Sequence, residues 1–197
     1  AGERYAEFVC VYAPTEEKTV YKYVYETPDG FGNMIMNSDG EFLTALCFEG
    51  SGDISKLTSE CDKKLLPIFE DTVKWLDMYF SGKIPDFTPK YKIDGISPFR
   101  RRVIDIMNRI PYGKTVAYND IAKEIAQERG LEKMSAQAVG GAVGANPICI
   151  IVPCHRVVGT NGSLTGYGGG IKNKVKLLEL EGNDMTKFTM PKKGTAL

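Results

Sequence analysis

The chain has one histidine in 197 residues, five cysteines with no CxxC pair among them, and no net charge. A lone histidine excludes His-cluster metal sites, and no Cys/carboxylate grouping has ligand spacing, so no metal is expected. Cys10, Cys47, Cys61, Cys149 and Cys154 are odd in number and scattered. That excludes a disulfide framework and a zinc ribbon and leaves reduced thiols as the expectation. No apolar run approaches a membrane span, and the opening Ala1-Gly2-Glu3-Arg4-Tyr5-Ala6-Glu7 carries acid where a signal peptide carries base. A cytoplasmic protein with no membrane partner is expected.

The zero net charge conceals a segregation. Residues 1–95 hold 10 Lys and Arg against 17 Asp and Glu, residues 96–182 hold 12 against 7, and residues 183–197 hold 3 against 1. A basic second half fits a polyanion partner, and equally a solvated imbalance with none.

In residues 19–49, apolar and aromatic clusters (Val20, Tyr23 and Tyr25; Met34 to Met36; Phe42 to Phe48) are separated by the turn signals Pro28-Asp29-Gly30 and Asn37-Ser38-Asp39-Gly40. This predicts an antiparallel meander of about three strands, the last two joined at Asp39-Gly40. Leu66, Phe69, Trp75, Leu76 and Phe80 then recur at helical spacing up to Gly82, which predicts one amphipathic helix on the sheet. Nothing in this half carries a chemical signature, so a scaffold is expected. From about residue 81 to 96, Pro85, Pro89 and Gly95 give the composition of a linker. The predicted organisation is a sheet-and-helix domain over 1–94, a second domain over 95–182 and a loosely held tail over 183–197.

Ser97-Pro98 opens a helix whose stripe of Val103, Ile104, Met107 and Ile110 ends at Pro111-Tyr112-Gly113. Arg100, Arg101 and Arg102 in its first turn either face water or meet phosphate. Residues 116–126 and 135–145 read as two short helices joined by a polar turn, a helix-turn-helix if functional and ordinary packing if not. The second, capped by Ser135, has almost no side-chain bulk: Ala136, Ala138, Gly140, Gly141, Ala142 and Gly144. Each interior glycine costs about 1 kcal/mol against alanine, so close approach of another surface is expected, either a packed helix or a nucleic-acid groove. A last helix over 171–180 carries Lys172, Lys174 and Lys176, which are expected at phosphate, and ends at Glu181-Gly182.

Between these helices lies Ile150-Ile151-Val152-Pro153-Cys154-His155-Arg156, an apolar run that sets a thiol beside the only histidine. A run stopped by proline reads as a short buried strand or extended segment that delivers Cys154 to an edge. The pair alone leaves a reactive thiol and an inert buried cysteine evenly matched. A Gly-rich segment over 159–170 follows and reads as a loop beside the thiol.

Pro153-Cys154-His155-Arg156-Val157, together with Ile110-Pro111-Tyr112-Gly113-Lys114-Thr115-Val116-Ala117-Tyr118, Ala138-Val139-Gly140-Gly141-Ala142 and Asn146-Pro147, resembles the O6-alkylguanine-DNA alkyltransferase family, also called methylated-DNA–protein-cysteine methyltransferases. The likeness spans about residues 97–182; before that it is one of layout, to the family's ribonuclease H-like domain. It implies a mixed α/β chain, an antiparallel sheet with a helix followed by a mainly helical, winged helix-turn-helix domain. It also implies a cofactor-free monomer, nucleoid-associated in a prokaryote, that binds double-stranded DNA containing O6-alkylguanine. Such a protein flips the base out through the minor groove and moves a methyl or other alkyl group onto its own cysteine once, with O4-alkylthymine a candidate second substrate.

By this resemblance Cys154 is the acceptor, and His155 is the base that draws off its proton through a water. Glu181 holds the far imidazole nitrogen, Tyr118 donates to guanine N3 or the 5′ phosphate, and Asn146 braces the turn. Ser135, Ala136, Gln137, Ala138 and Gly140, with Asn119, Thr160 and Arg100, meet DNA. Tyr167, Gly168, Gly169 and Cys149 surround the base, the two glycines leaving room for groups larger than methyl.

The chain departs from the family pattern twice. Gln137 stands where an arginine usually fills the gap left by the flipped nucleotide, which predicts a less well held extrahelical state. Cys149 stands where proline is frequent and is expected to be a small core residue. Rival readings fit less of the chain. Alkyltransferase-like proteins that only mark damage lack the acceptor cysteine. A Cys-His hydrolase normally folds a distant histidine onto its thiol. A plain helix-turn-helix regulator needs neither the Pro-Cys-His-Arg segment nor the Gly-rich loop.

Overall fold

In the computed structural model, residues 8–10, 20–28, 30–51, 61–62 and 65–190 are described. Residues 1–7 and Asp29 of the first turn signal lie outside them, as do residues 191–197 of the tail. The chain divides into two compact units, Ala1–Ile93 and Asp94–Leu197.

The first unit is built on strands β1 (Phe8–Cys10), β2 (Val20–Tyr25), β3 (Met34–Ser38), β4 (Leu43–Phe48) and β5 (Cys61–Asp62). Strands β2, β3 and β4 form the expected antiparallel meander, with Tyr25 opposite Met34 and Met34 opposite Phe48. β1 runs antiparallel to both β2 and β5, so the sheet is wider than the meander alone. The β3–β4 turn closes on Gly40 at φ 105°, and the Ser38 and Asp39 side chains accept the Gly40 and Phe42 N–H groups, each at 2.9 Å. Helix α1 (Pro67–Phe80) starts at a proline whose missing N–H costs nothing there, and buries Phe69, Trp75, Leu76 and Tyr79. Tyr23 meets Phe69 at 5.7 Å between ring centres. The expected linker is partly structured, because the Leu43 N–H donates to Lys90 O and the Lys92 N–H to Leu43 O, both at 2.9 Å. Lys90 to Lys92 therefore extend the edge beside β4.

The second unit contains α2 (Pro98–Asn108), β6 (Val116–Ala117), α3 (Tyr118–Glu128), α4 (Ala136–Gly144), β7 (Val157–Val158) and α5 (Ile171–Leu180). Ser97 and Ser135 cap α2 and α4 as expected, accepting the Arg100 and Ala138 N–H groups, each at 3.3 Å. Helices α2, α3 and α4 pack around Val103, Met107, Ile121, Ile125, Val139 and Val143. The helix predicted from residue 116 starts two residues later. Val116 and Ala117 are extended and pair in parallel with Val157 and Val158, and Ala117 (φ −81°, ψ 146°) then caps α3.

Residues 183–190 are a strap rather than a loose tail. The Leu164 N–H donates to Thr189 O at 2.9 Å, and the Thr189 N–H to Gly162 O at 3.1 Å. Met185 and Phe188 pack on Val158, Leu164 and Leu178. Apolar burial at those two positions supplies the reason, about 25 cal/mol for each Å² covered.

Candidate active site

The segment that delivers Cys154 is a set of tight turns, not the extended run expected. The Ile151 N–H donates to Cys149 O at 2.9 Å and the Val152 N–H to Ile148 O at 3.1 Å, with Ile150 forced to φ 69°. A β-branched residue is strained there and persists only if its surroundings hold it. Asn146, buried in the turn, does so. Its Oδ1 accepts the Ile148 N–H at 3.0 Å, and its Nδ2 donates to Ile148 O at 3.2 Å and Val152 O at 3.0 Å. The same Nδ2 lies 3.1 Å from Cys154 Sγ. One amide therefore fixes both the loop and the thiol. A Cβ on Gly140 would reach the Tyr118 ring at 4.0 Å, so the near face of α4 seats that ring beside the site.

Cys154 is 5% exposed and His155 is fully buried on the single turn of 3-10 helix over Cys154–Arg156. His155 Nε2 meets Glu181 Oε1 at 2.7 Å. Glu181 follows α5, and its Oε2 also accepts the Gly113 N–H at 3.0 Å. Gly113 sits at φ 72°, where a Cβ would lie 2.8 Å from Glu181 O, so the Pro111-Tyr112-Gly113 turn can close on the carboxylate only as glycine. The Arg156 guanidinium completes the shell: Nε reaches Oε2 at 2.9 Å, Nη2 reaches Oε1 at 2.9 Å and Nη1 donates to Ile110 O at 2.7 Å. Burial alone would raise the Glu181 pKa, but His155 and Arg156 outweigh it and hold the carboxyl at about 2. Burial is the largest influence on His155 and lowers its pKa; Glu181 opposes the shift, while Arg156 and Lys174 add to it. Both directions favour an ionised carboxylate beside a neutral imidazole at neutral pH.

Lys174 overturns its sequence expectation. It does not face phosphate: it is fully buried, donating to Val157 O at 2.7 Å and Thr165 O at 3.2 Å. Its ammonium lies 6.0 Å from the ring centres of both Tyr118 and Tyr167. Burial lowers its pKa to about 8 against the raising influence of Cys154. Burial first, and then Cys154, push the Tyr118 hydroxyl up to about 12. Both groups thus register charge at the thiol. Arg102 is likewise corrected: it pairs with Glu124 at 3.0 Å and with Glu128, which joins α2 to α3 and withdraws it from a phosphate role.

Cys154, His155, Glu181 and Asn146 are thus brought together, with Tyr118 and the half-buried Tyr167 both near the Lys174 ammonium. Cys149 is buried in the delivering turn. The Gly169 carbonyl accepts Asn173 Nδ2 at 2.8 Å, which ties the Gly-rich loop to α5, and Gly168 is half-buried beside it. Ser135, Gln137, Ala138, Asn119, Thr160 and Arg100 are exposed, while Ala136 is half-buried. Gly141 and Gly144 have open space where a Cβ would stand. Arg156 and Lys174 are the site residues that sequence reasoning missed. The periodicity held a signal for the second, since Ile171, Lys174, Leu177 and Leu178 share one helical face. Among the described residues no group of three or more His, Cys, Asp or Glu side chains could hold a metal, and no helix is long and apolar enough to cross a membrane.

The arrangement defines a class: a helix-turn-helix unit with a thiol set into its core beside a histidine–carboxylate relay. Residues 98–183 match the family model described as the DNA-binding domain of 6-O-methylguanine DNA methyltransferase. The chain is 36% identical over 165 residues to a methylated-DNA–protein-cysteine methyltransferase of Methanosarcina acetivorans, covering 83% of this chain and 99% of that protein. To the protein of the same name from Mycobacterium bovis it is 47% identical over 113 residues, 57% of this chain and 65% of that protein's length. A solved structure described as Mycobacterium tuberculosis OGT in complex with DNA matches with a TM-score of 0.65 at 36% identity, covering 85% of this chain and 94% of that one. The chain belongs to the methylated-DNA–protein-cysteine methyltransferase family.

Proposed function

We infer that the protein repairs DNA by moving an alkyl group from O6 of guanine in a duplex onto Cys154, each molecule acting once. The observation that carries this is the coupled contact set at the thiol: Asn146 Nδ2 at 3.1 Å from Sγ, and the neighbouring imidazole held on Glu181 at 2.7 Å. An amide N–H shared between a carbonyl and sulfur favours the thiolate, and the neutral, carboxylate-oriented histidine next in sequence takes its proton through a water. Sγ attacks the alkyl carbon, the carbon–O6 bond breaks and its electron pair stays with guanine. The thiol proton passes to His155; Tyr118, kept protonated by its raised pKa, lends its proton to guanine N3 as the bond breaks and recovers one from the imidazolium by way of solvent, and guanine settles as its N1–H form. The net exchange is one alkyl group to sulfur and one proton to the base. The thioether has no leaving group that the site can expel, so the protein is consumed.

The exposed small-residue side of α4 supports groove contact. No neighbour among the described residues requires Gly141 or Gly144 to lack a side chain. Gln137 and Ala138 lie on that side, Arg100 and Lys172 remain exposed for phosphate, and the protein works as a cytoplasmic or nucleoid monomer. Incubation with a duplex carrying one O6-methylguanine tests the reading. Unmodified guanine should appear in a single burst of one equivalent per protein, and Cys154→Ala should bind the duplex and restore none. Binding without restored guanine in the wild type, or several equivalents per protein, contradicts it.

A further inference from the structure

The remaining member of the Pro-Cys-His-Arg segment has a geometry that the transfer scheme leaves unused. Arg156 Nε contacts Glu181 Oε1 at 3.1 Å and Oε2 at 2.9 Å, Nη2 contacts Oε1 at 2.9 Å, and Nη1 anchors on Ile110 O at 2.7 Å. The guanidinium also lies 5.7 Å from the centre of the Tyr112 ring, whose hydroxyl donates to Leu180 O at 3.1 Å. Oε1 is therefore shared by the cationic head of Arg156 and by His155 Nε2. An ionised carboxylate only accepts, so Nε2 must carry the proton of that contact and Nδ1 is the basic nitrogen of a neutral ring.

Charge decides whether the ring stays neutral. A buried carboxylate with imidazole as its sole partner draws a second proton onto the ring, because a buried charge needs a countercharge. Arg156 supplies that countercharge. Among the described residues, the other titratable groups of this cluster are Lys174 from α5, which faces the ring, Cys154 on its own turn, Tyr112 beside Arg156 and Tyr118 beside Lys174. Lys174 donates to the Val157 and Thr165 carbonyls and not to Glu181, so its charge adds to the repulsion of an imidazolium without pairing the carboxylate, and neither the tyrosines nor the thiol brings positive charge. We propose that Arg156 is a positioning residue that sets the protonation state of the relay, holding Glu181 ionised so that His155 stays neutral with its proton on Nε2 and Nδ1 ready for the Cys154 proton. This rests on Cys154 being the acceptor only for its consequence in repair; the state of the ring can be read without it.

His155 is the only histidine in the chain, so its imidazole resonances are unambiguous. We would titrate them by nitrogen-detected NMR in the wild type, Arg156→Met, Arg156→Gln and Arg156→Lys. In the wild type the ring should be neutral at pH 7 as the Nε2–H form. Arg156→Met and Arg156→Gln should raise its titration midpoint by about one unit or more, the scale of removing a like charge at this range. Arg156→Lys, which keeps the charge, should stay near the wild type. The acid limb of the alkyl-transfer rate should move with the midpoint, costing about tenfold well below it. An imidazolium in the wild type at pH 7, or the Nδ1–H form, overturns the proposal before any variant is made. An unmoved midpoint in Arg156→Gln, with transfer lowered by one factor at every pH, also overturns it and leaves Arg156 as a structural brace. If the midpoints move as expected while no variant or wild type transfers an alkyl group, the charge role stands and the repair reading falls.

Discussion

Among the described residues of the first unit the fully buried side chains include Met34, Met36, Leu43, Leu46, Phe48, Phe69, Leu76 and Tyr79, and the buried polar residues beside them, Asn37, Ser38 and Thr72, carry no charge. In the second unit Asn146, His155, Lys174 and Glu181 are buried together, three of them ionisable. Burying ionisable groups opposes folding unless each finds countercharge or hydrogen bonds. The first unit is packed as an ordinary apolar core, whereas the second holds an arrangement that stability alone would not select. The difference locates the chemistry independently of any motif.

Truncating one buried side chain in each unit should separate stability from chemistry. Phe69→Ala should cost about 3–5 kcal/mol, the range for emptying a phenylalanine site, and leave the transfer rate of the folded fraction unchanged. Denaturant unfolding followed by Trp75, the only tryptophan and a residue of the first unit, reads the stability; a slowed transfer would mean that this unit shares in the chemistry. Asn146→Leu should cost about 1–3 kcal/mol by orphaning the Ile148 N–H and taking one of two donors from each of the Ile148 and Val152 carbonyls, and should also slow transfer. Unfolding curves set beside transfer rates check both halves of that expectation.

A pH titration sharpens the contrast further. Glu181 has its folded pKa held near 2 against an ordinary 4.5, so its contribution is full above about 4.5 and is lost as pH falls from there towards 2. Acid should therefore loosen the second unit through this group. Hydrogen exchange of the backbone amides of α5 should rise in that window, and Glu181→Gln should flatten the rise. The smallest effect is a gain: Gly141→Ala, with open space at its Cβ position, should stabilise α4 by about 0.5–1 kcal/mol while weakening duplex binding. A thermal melt and a binding isotherm read the two signs, and unchanged affinity would remove α4 from the DNA face.

What was legible in the sequence followed from local signals. The meander declared itself through its turn residues and α1 through its period, while the Ser97 and Ser135 caps are one-residue rules that the structure obeys. The thiol, its histidine, Glu181 and Asn146 were legible through motif order. The contacts that needed chain closure were not. Arg102 finds Glu128 across 26 residues, and Arg156 finds Ile110 across 46. Ile150 adopts a backbone angle that its own side chain disfavours, so local propensity pointed to an extended run. Lys174 was misread because its charge was weighed above its place on the apolar face of α5, and residues 183–190 because a polar composition hid Met185 and Phe188.

The most direct test of the account is the mass of the Cys154 peptide after incubation with a duplex containing one O6-methylguanine. The account predicts a single added methyl on Cys154, saturating at one per protein and absent after incubation with unmodified duplex. Methyl on Cys149, or a bound duplex with no change of mass, would contradict it.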